Sequence, residues 1–387
     1  MSEAVIVEAV RTGRGKRKGT LAGVHPVDLA AHVLTAAIRR AGIAPGLVDD
    51  VAMGCVSPVG EQGLNIARGA VLAAGLPIEI AGVSVNRFCG SGLQAVNQAA
   101  MAVMGGQSEL AIGGGVESMT RVPMGSDASG PGTGPASPGL MAHWPNLVNQ
   151  GLAAEMLCER EKLSRRELDE YSAASQQKAG AAIAAGKFKA EIEPIDVELP
   201  DGRKVSFATD EHCRPGTTVD VLAGLKPAFK DGGVIHAGNS SGIVDGAAAV
   251  VVATPEAAKK HGLKPRAKIV SMAVAGSDPL LMLTGPIPST RKALAKAGLE
   301  IDDIDLFEIN EAFAPVPIVV ARELGIPLEK LNVNGGAIAL GHPLGATGAI
   351  LLATVLNELE RRDLRRGLIT LCIGYGMGIT TIIDRKV

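Results

Sequence analysis

Residues 91–104 read SGLQAVNQAAMAVM, a stretch without one charged side chain whose polar members are only Ser, Gln and Asn. The pattern predicts a helix. A helix apolar on every side is normally covered on every side. It is therefore expected inside the molecule, between layers, with the rest of the fold arranged around it. Directly before it, Val83–Asn86 predicts a strand; after it, Leu110–Gly115 predicts a strand running into a glycine turn. Upstream, Val5–Val10 and Val51–Val56 read as strands, and Val27–Ala41 as a helix ended by Gly42.

The second half of the chain repeats this order. Ala267–Val274 reads as a strand, Ser289–Ala297 as part of a helix, and Asp305–Ile309 and Leu331–Asn334 as strands. A Gly/Ala-rich helix follows near Gly345–Leu356, and Arg366–Ile373 closes with a strand and a glycine turn. Val85-Asn86 and Val333-Asn334 each lead into the buried helix of their half. Such a weak internal duplication implies two similar units. Alternating strands and helices imply an α/β class with parallel-type sheets covered by helices.

The expected division is a first half over residues 1–116, completed by 239–266, and a second half over 267–387. Residues 117–238 differ in character. They open with GSDASGPGTGPASPG (Gly125–Gly139), too rich in Gly, Pro and Ser for regular structure. Charged amphipathic helix follows in LSRRELDEYSAASQQKAGAAIAAG, where Ser164 and Glu167 form a capping box. A surface excursion that covers a site is the natural reading.

Bulk properties narrow the function. The 387 residues exceed one simple core. Aromatics make up only 2% and Gly numbers 49, so interiors must pack by close backbone approach. The net charge is -2, and no basic tract stands out, which argues against a nucleic-acid partner. Cys55, Cys89, Cys158, Cys213 and Cys372 are scattered without a CxxC pair, so neither a zinc knuckle nor a redox dithiol is indicated. Free thiols suggest a reduced, cytoplasmic chain. No signal peptide or membrane-spanning segment is read, and no metal-ligand cluster.

Four segments carry chemistry. In VNRFCGSGLQ, Cys89 falls where a strand ends and the buried helix begins, a position whose free N–H groups should lower a thiol pKa. The plain alternative is a small buried core residue. In NGGAIALGHPLGATG, His342 sits in a glycine loop before the second-half helix and could serve as a base; the alternative is a surface-turn histidine. In LCIGYGMG, Cys372 ends the last apolar strand, and the glycines after it could let N–H groups converge on an oxygen. A dinucleotide reading of that turn fails, since no helix or acidic residue follows at the needed distance. In EINEAFAPV, Asn310 ends a strand and could hold a water or polarise a carbonyl; the alternative is a helix cap.

Together these segments closely resemble the thiolases. The resemblance runs from VEAVRTGRGKRKG (7–19) to CIGYGMG (372–378), and also takes in GGVESMT (114–120), DEHCRPGTT (210–218) and AGNSSGIVDGAAA (237–249). It implies a five-layered αβαβα fold of two similar halves with an inserted loop domain. It implies that Cys89 takes the acyl group as a thioester, His342 activates it, and Cys372 moves the proton at the α-carbon of acetyl-CoA. It implies two oxyanion holes, one from Asn310 and His342, the other from the N–H groups of Cys89 and Gly374. Ser241 resembles a serine that contacts the pantetheine arm, and Arg214 a basic residue along CoA. Coenzyme A is then a co-substrate with no permanently bound cofactor. The partners are acyl-CoA, CoA and a second copy in a homodimer, with a homotetramer as the alternative.

The resemblance has departures. Tyr375 stands beside the oxyanion glycine where many relatives have Gly. Gln150-Gly151 replaces a Met-Gly pair that borders the acyl pocket. The loop Gly125–Gly139 is looser than in tetrameric short-chain enzymes. The looser loop favours a dimer, and the altered pocket border favours thiolytic cleavage of 3-ketoacyl-CoA in fatty-acid or related breakdown, with an acetoacetyl-CoA thiolase as the alternative. A ketosynthase-type condensing enzyme, a Cys–His hydrolase and a catalytically silent CoA- or lipid-binding protein are more remote.

Overall fold

The computed structural model describes residues 3–129 and 134–387. The chain begins with β1 (Val5–Arg11), the short β2 (Gly15–Lys16), α1 (Pro26–Ala41), β3 (Asp50–Gly54) and α2 (Ile66–Ala73). β4 (Ala81–Val85), α3 (Ser91–Met104) and β5 (Leu110–Ser118) follow. The middle region holds α4 (Pro138–His143), α5 (Gln150–Glu161), α6 (Arg165–Ala184), the hairpin of β6 (Ile195–Glu198) and β7 (Lys204–Phe207), and α7 (Val219–Ala223). β8 (Val244–Ala253), α8 (Pro255–Lys260), β9 (Ala267–Gly276), α9 (Pro286–Ala297), β10 (Leu306–Ile309) and α10 (Pro315–Leu324) come next. The chain closes with α11 (Ala337–Leu340), α12 (Thr347–Arg361), β11 (Arg366–Ile373) and β12 (Met377–Asp384).

The large sheet runs β10-β11-β12-β9-β1-β8-β5-β3-β4, with β2 on β8. Its two wings join where β1 meets β9 over two residue pairs, Val5–Lys268 and Ile6–Ala267. β8, from the 239–266 segment, pairs with β1 and β5. The expected parallel sheets are only partly present. β3–β4, β3–β5 and β10–β11 are parallel, whereas β11–β12, β9–β12, β5–β8 and β1–β8 are antiparallel. β12 follows β11 after a turn too short for a crossover, so that pair must be antiparallel.

Strand alternation sorts side chains into layers. On β5, Ile112 joins Leu29, Leu34 and Val71 of α1 and α2, while Ala111 joins Leu93 and Val96 of α3. On β11, Ile369 and Leu371 pack against Ile350 and Leu352 of α12, while Leu368 and Cys372 join Leu294 of α9 and Val319 of α10. The result is helix, sheet, helix, sheet, helix, with α3 and α12 in the middle. The coverage of α3 is incomplete: Gln94 and Gln98 are half-buried and Met101 is 48% exposed, a stripe one helical face wide.

Backbone contact replaces ring packing at the seam. A Cβ on Gly115 of β5 would lie 1.9 Å from the Gly345 carbonyl oxygen, one on Gly54 of β3 2.5 Å from it, and one on Gly92 of α3 2.7 Å. Three glycines of the first half thus make room for the loop that precedes α12.

Two local expectations change. Leu331–Asn334 is not a strand. It makes a single bridge to Phe307, and Asn332 turns with φ +44°. The Asn332 amide takes the ladder's place, accepting from Ile309 N and donating to Ile309 O, each at 2.9 Å. Ser164 caps α6 by accepting from Glu167 N at 3.2 Å, but the Glu167 carboxylate turns to Arg322 instead of completing the box. In the Gly125–Gly139 stretch, Ser126–Ala128 forms one 3-10 turn and Pro138 starts α4; residues 130–133 lie outside the described residues. No described helix is long and apolar enough to cross a membrane.

Candidate active site

Cys89 is buried between β4 and α3. The turn that carries it is tightly tied. Asn86 Oδ1 accepts from Phe88 N at 2.9 Å, and Ser91 Oγ accepts from Arg87 N at 2.8 Å while donating to Phe88 O at 2.6 Å. Phe88 is held at φ +43°, a conformation that costs energy in a non-glycine residue and marks a constrained site. The backbone N–H groups of Cys89 and Gly374 favour charge on the sulfur, and the Gln150 amide lies 3.9 Å from it.

The expected lowering of the Cys89 pKa is not found. Burial dominates and pushes the thiol up to about 11; the Glu117 carboxylate adds repulsion, and the donors only partly offset it. The free thiol therefore keeps its proton at neutral pH and needs a base.

His342 occupies the loop between α11 and α12. It is buried, which removes the surface-turn alternative. Its Nδ1 lies 2.5 Å from Thr347 Oγ1, and that hydroxyl donates to Pro343 O at 2.9 Å. The hydroxyl proton being used, the network assigns the ring proton to Nδ1 and leaves a lone pair on Nε2. Burial and the nearby Arg14 guanidinium lower the imidazole pKa to about 3, so the ring is neutral.

Asn310 ends β10, and its Nδ2 lies 3.3 Å from His342 Nε2. Its Oδ1 is buried with no protein partner among the described residues, an acceptor that a bound donor would satisfy. Asn310 caps no helix: α10 starts after Ala314 without a side-chain cap. Cys372 is the next-to-last residue of β11 and fully buried. Burial first, then the charge of a Cys89 thiolate, push its thiol up, so a charge on Cys89 is felt at Cys372.

The turn after Cys372 closes over the site. A Cβ on Gly374 would lie 3.6 Å from the Phe88 ring and 3.7 Å from the Gln150 amide nitrogen. Tyr375 accepts φ +60°, and its half-exposed ring packs edge-on against Phe88 at 5.5 Å. Ser241 lies beside the histidine loop: its N donates to Ala312 O, and Gly242 O accepts from His342 N at 2.9 Å. Arg214 is exposed; its backbone N donates to Gln176 Oε1 at 2.8 Å, and among the described residues no hydrogen bond or ion pair holds its guanidinium. Asn310 and His342 are thus in contact, Cys372 lies near enough to feel a charge on Cys89, Gly374 borders the nucleophile turn and Ser241 the histidine loop, while Arg214 is exposed.

Glu117 was not singled out from the sequence. It is buried and accepts from Val56 N, Ser57 N, Gln62 Nε2 and Gly345 N at 2.8–3.1 Å, bracing the histidine loop against the first half. The available signal was a lone acid in the apolar strand LAIGGGVES. Thr347 and Arg14 carried no comparable signal.

The family profile described as Thiolase, N-terminal domain matches residues 4–256, and that described as Thiolase, C-terminal domain matches residues 263–385. The chain is 47% identical to the steroid 3-ketoacyl-CoA thiolase FadA6 of Mycobacterium tuberculosis, over 100% of this chain and 95% of that protein. It is 44% identical to an acetyl-CoA acetyltransferase of Cupriavidus necator over the full length of both. The crystal structure of the Bacillus anthracis acetyl-CoA acetyltransferase superposes with a TM-score of 0.91 at 40% identity, covering 99% of each chain. Two profiles that span nearly the whole sequence, and relatives of almost equal length at this identity, make the chain a member of the thiolase family.

Proposed function

We propose that the chain transfers acyl groups between CoA thioesters through an acyl-Cys89 intermediate, chiefly by thiolytic cleavage of 3-ketoacyl-CoA. The observation that carries this reading is a second buried thiol, Cys372, near enough to Cys89 to feel the charge of its thiolate, in a chain whose His342 imidazole is neutral with an Nε2 lone pair. A cysteine–histidine pair alone would suit a hydrolase. A second thiol suits chemistry at carbon.

In the forward reaction His342 Nε2 takes the Cys89 proton as the sulfur attacks the keto carbon. Neither group is charged beforehand, so the transfer creates an imidazolium and moves the negative charge onto the keto oxygen. The N–H groups of Cys89 and Gly374 receive that oxygen. As the carbonyl re-forms, the bond to the α-carbon breaks and its electron pair passes into an acetyl-CoA enolate. The enolate oxygen is met by His342 and by the donor held at Asn310. Cys372 gives its proton to the enolate carbon, and acetyl-CoA leaves. The resulting Cys372 thiolate takes the proton of incoming CoA, whose sulfur attacks the acyl carbon and expels the Cys89 thiolate, which regains its proton from the His342 imidazolium. Coenzyme A is a co-substrate, and no resident cofactor is invoked. Ser241 would border the pantetheine arm and Arg214 the outer part of CoA.

The two halves, residues 1–116 with 239–266 and residues 267–387, around the inserted 117–238, belong to the same reading. A cytoplasmic setting is inferred from five free cysteines. The partner is a second copy: β4 is an unpaired edge, flanked by Leu64 at 102% and Ile78 at 72% exposure.

Incubation with acetyl-CoA followed by peptide mass spectrometry tests the intermediate; an unmodified Cys89 with no CoA-dependent loss of acetoacetyl-CoA would overturn it. A kcat/KM series over 3-ketoacyl-CoAs of rising length tests the substrate. Activity confined to the four-carbon substrate would favour the acetoacetyl-CoA enzyme.

A further inference from the structure

Thiolytic cleavage through Cys89, His342 and Cys372 makes no use of Gln150. Its side-chain nitrogen, a donor only, lies 3.9 Å from Cys89 Sγ. It approaches from the inserted region, whereas the N–H groups of Cys89 and Gly374 come from the two halves.

The residue is held in place. Gln150 is the first residue of α5, whose start is capped by Asn149 Oδ1 accepting from Leu152 N at 3.0 Å. The next residue, Gly151, lies against the Phe229 ring so closely that a Cβ would meet it at 2.1 Å. Phe229 in turn packs edge-on against Phe313 at 5.9 Å. The cap and the ring hold the backbone from which the amide reaches the sulfur.

The charge on that sulfur is opposed by burial first and by the Glu117 carboxylate as well. A neutral thiol is a weak acceptor, whereas hydrogen bonds to an ionised acceptor are shorter and roughly twice as strong. The amide therefore gains interaction only as the sulfur gains charge, which is the differential that lowers a barrier. A methionine at this position, as in many thiolases, offers no donor.

We propose that Gln150 is a further catalytic residue, donating its amide N–H to the Cys89 sulfur and favouring loss of the thiol proton to His342. The proposal rests on Cys89 being the nucleophile.

The test is iodoacetamide alkylation of the Cys89 peptide across pH, in the unaltered chain, in Gln150→Met and in Gln150→Asn. Met keeps the length and removes the donor; Asn draws the amide back by one methylene. The midpoint of the Met variant is expected to rise by about half a unit or more, a roughly threefold loss of thiolate at neutral pH. Its kcat should fall with KM little changed, and the defect should shrink as pH is raised. A purely structural role would leave the defect independent of pH. If the Met variant does not fold, the Asn variant decides by the same shift. A midpoint equal to that of the unaltered chain overturns the proposal. Failure of acetyl-CoA to label Cys89 in the unaltered chain would instead remove the nucleophile reading itself.

Discussion

His342 Nδ1 lies 2.5 Å from the Thr347 hydroxyl, which is itself committed to the Pro343 carbonyl. The loop and the first turn of α12 thereby choose one tautomer. Removing the hydroxyl frees the ring to turn and leaves Nδ1–H without a buried acceptor, at a cost of about 1–3 kcal/mol. Thr347→Val is expected to lower kcat by about 10–100-fold with little change in KM, and Thr347→Ser to restore most of it. Steady-state kinetics on acetoacetyl-CoA checks this; full kcat in the Val variant would deny the hydroxyl any part in catalysis.

The buried neutral histidine also makes stability depend on pH. Its folded pKa is lowered to about 3 from an ordinary 6.5. Between those values the unfolded chain binds the proton and the folded one does not. Stability from this group is therefore complete above about pH 6.5 and lost as pH falls toward 3, by about 1.4 kcal/mol per unit. His342→Asn should flatten the acid side of the stability curve over that window. Urea midpoints from pH 7 to pH 4 report it; parallel slopes in the two proteins would contradict the burial argument.

The proposed reaction gives Cys372 a different task from Cys89. Cys372→Ala removes the proton carrier without touching the donors at Cys89. The variant is expected to take an acetyl group from acetyl-CoA onto Cys89 and then stall, with kcat for cleavage and condensation down by about 1,000-fold or more. Mass spectrometry of the trapped adduct, alongside turnover, separates the two steps. A variant that keeps full turnover would assign the proton to another group.

The sequence carried the fold because its signals were local and periodic. The charge-free stretch 91–104 located the inner layer, and the repeat around Val333-Asn334 located its mate at Thr347–Arg361. What it missed depends on contacts far apart in the chain. Glu117 meets Gly345 N across the seam, and no pattern within either segment announces that pairing. The Cys89 pKa went the other way because a helix N-terminus is visible in sequence, whereas complete burial of the sulfur is not. Leu331–Asn334 failed as a strand because one side chain, Asn332, substitutes for the ladder.

Gly115 is where the seam tolerates least. A methyl group there would sit 1.9 Å from the Gly345 oxygen and 2.9 Å from the Ala346 Cα, both backbone atoms. Gly115→Ala is expected to destabilise by about 2–4 kcal/mol and to reduce activity, because the His342 loop must move to relieve it. Gly69→Ala serves as the comparison: its Cβ meets only Val27 methyl groups at 3.6–3.7 Å. Thermal melts of the two variants should differ clearly, with Gly69→Ala close to the unaltered chain. Equal melting points would mean the seam is more yielding than its contacts imply.

The exposed edge of β4 leads to the last expectation. Backbone groups on a terminal strand seek a partner, and Leu64 and Ile78 beside it are exposed apolar side chains of the kind interfaces bury. The uncharged stripe of Gln94, Gln98 and Met101 on α3 extends the same kind of surface. Sedimentation is expected to give about twice 39.5 kDa. Leu64→Lys with Ile78→Lys should shift the species toward one copy, since burying two charges across a twofold contact costs several kcal/mol. Because Arg87 and Phe88 follow β4 directly on the way to Cys89, loss of the dimer is also expected to weaken the nucleophile turn. A mass near four times 39.5 kDa in the unaltered chain would replace the dimer with a tetramer. An unchanged mass in the double variant would move the interface elsewhere.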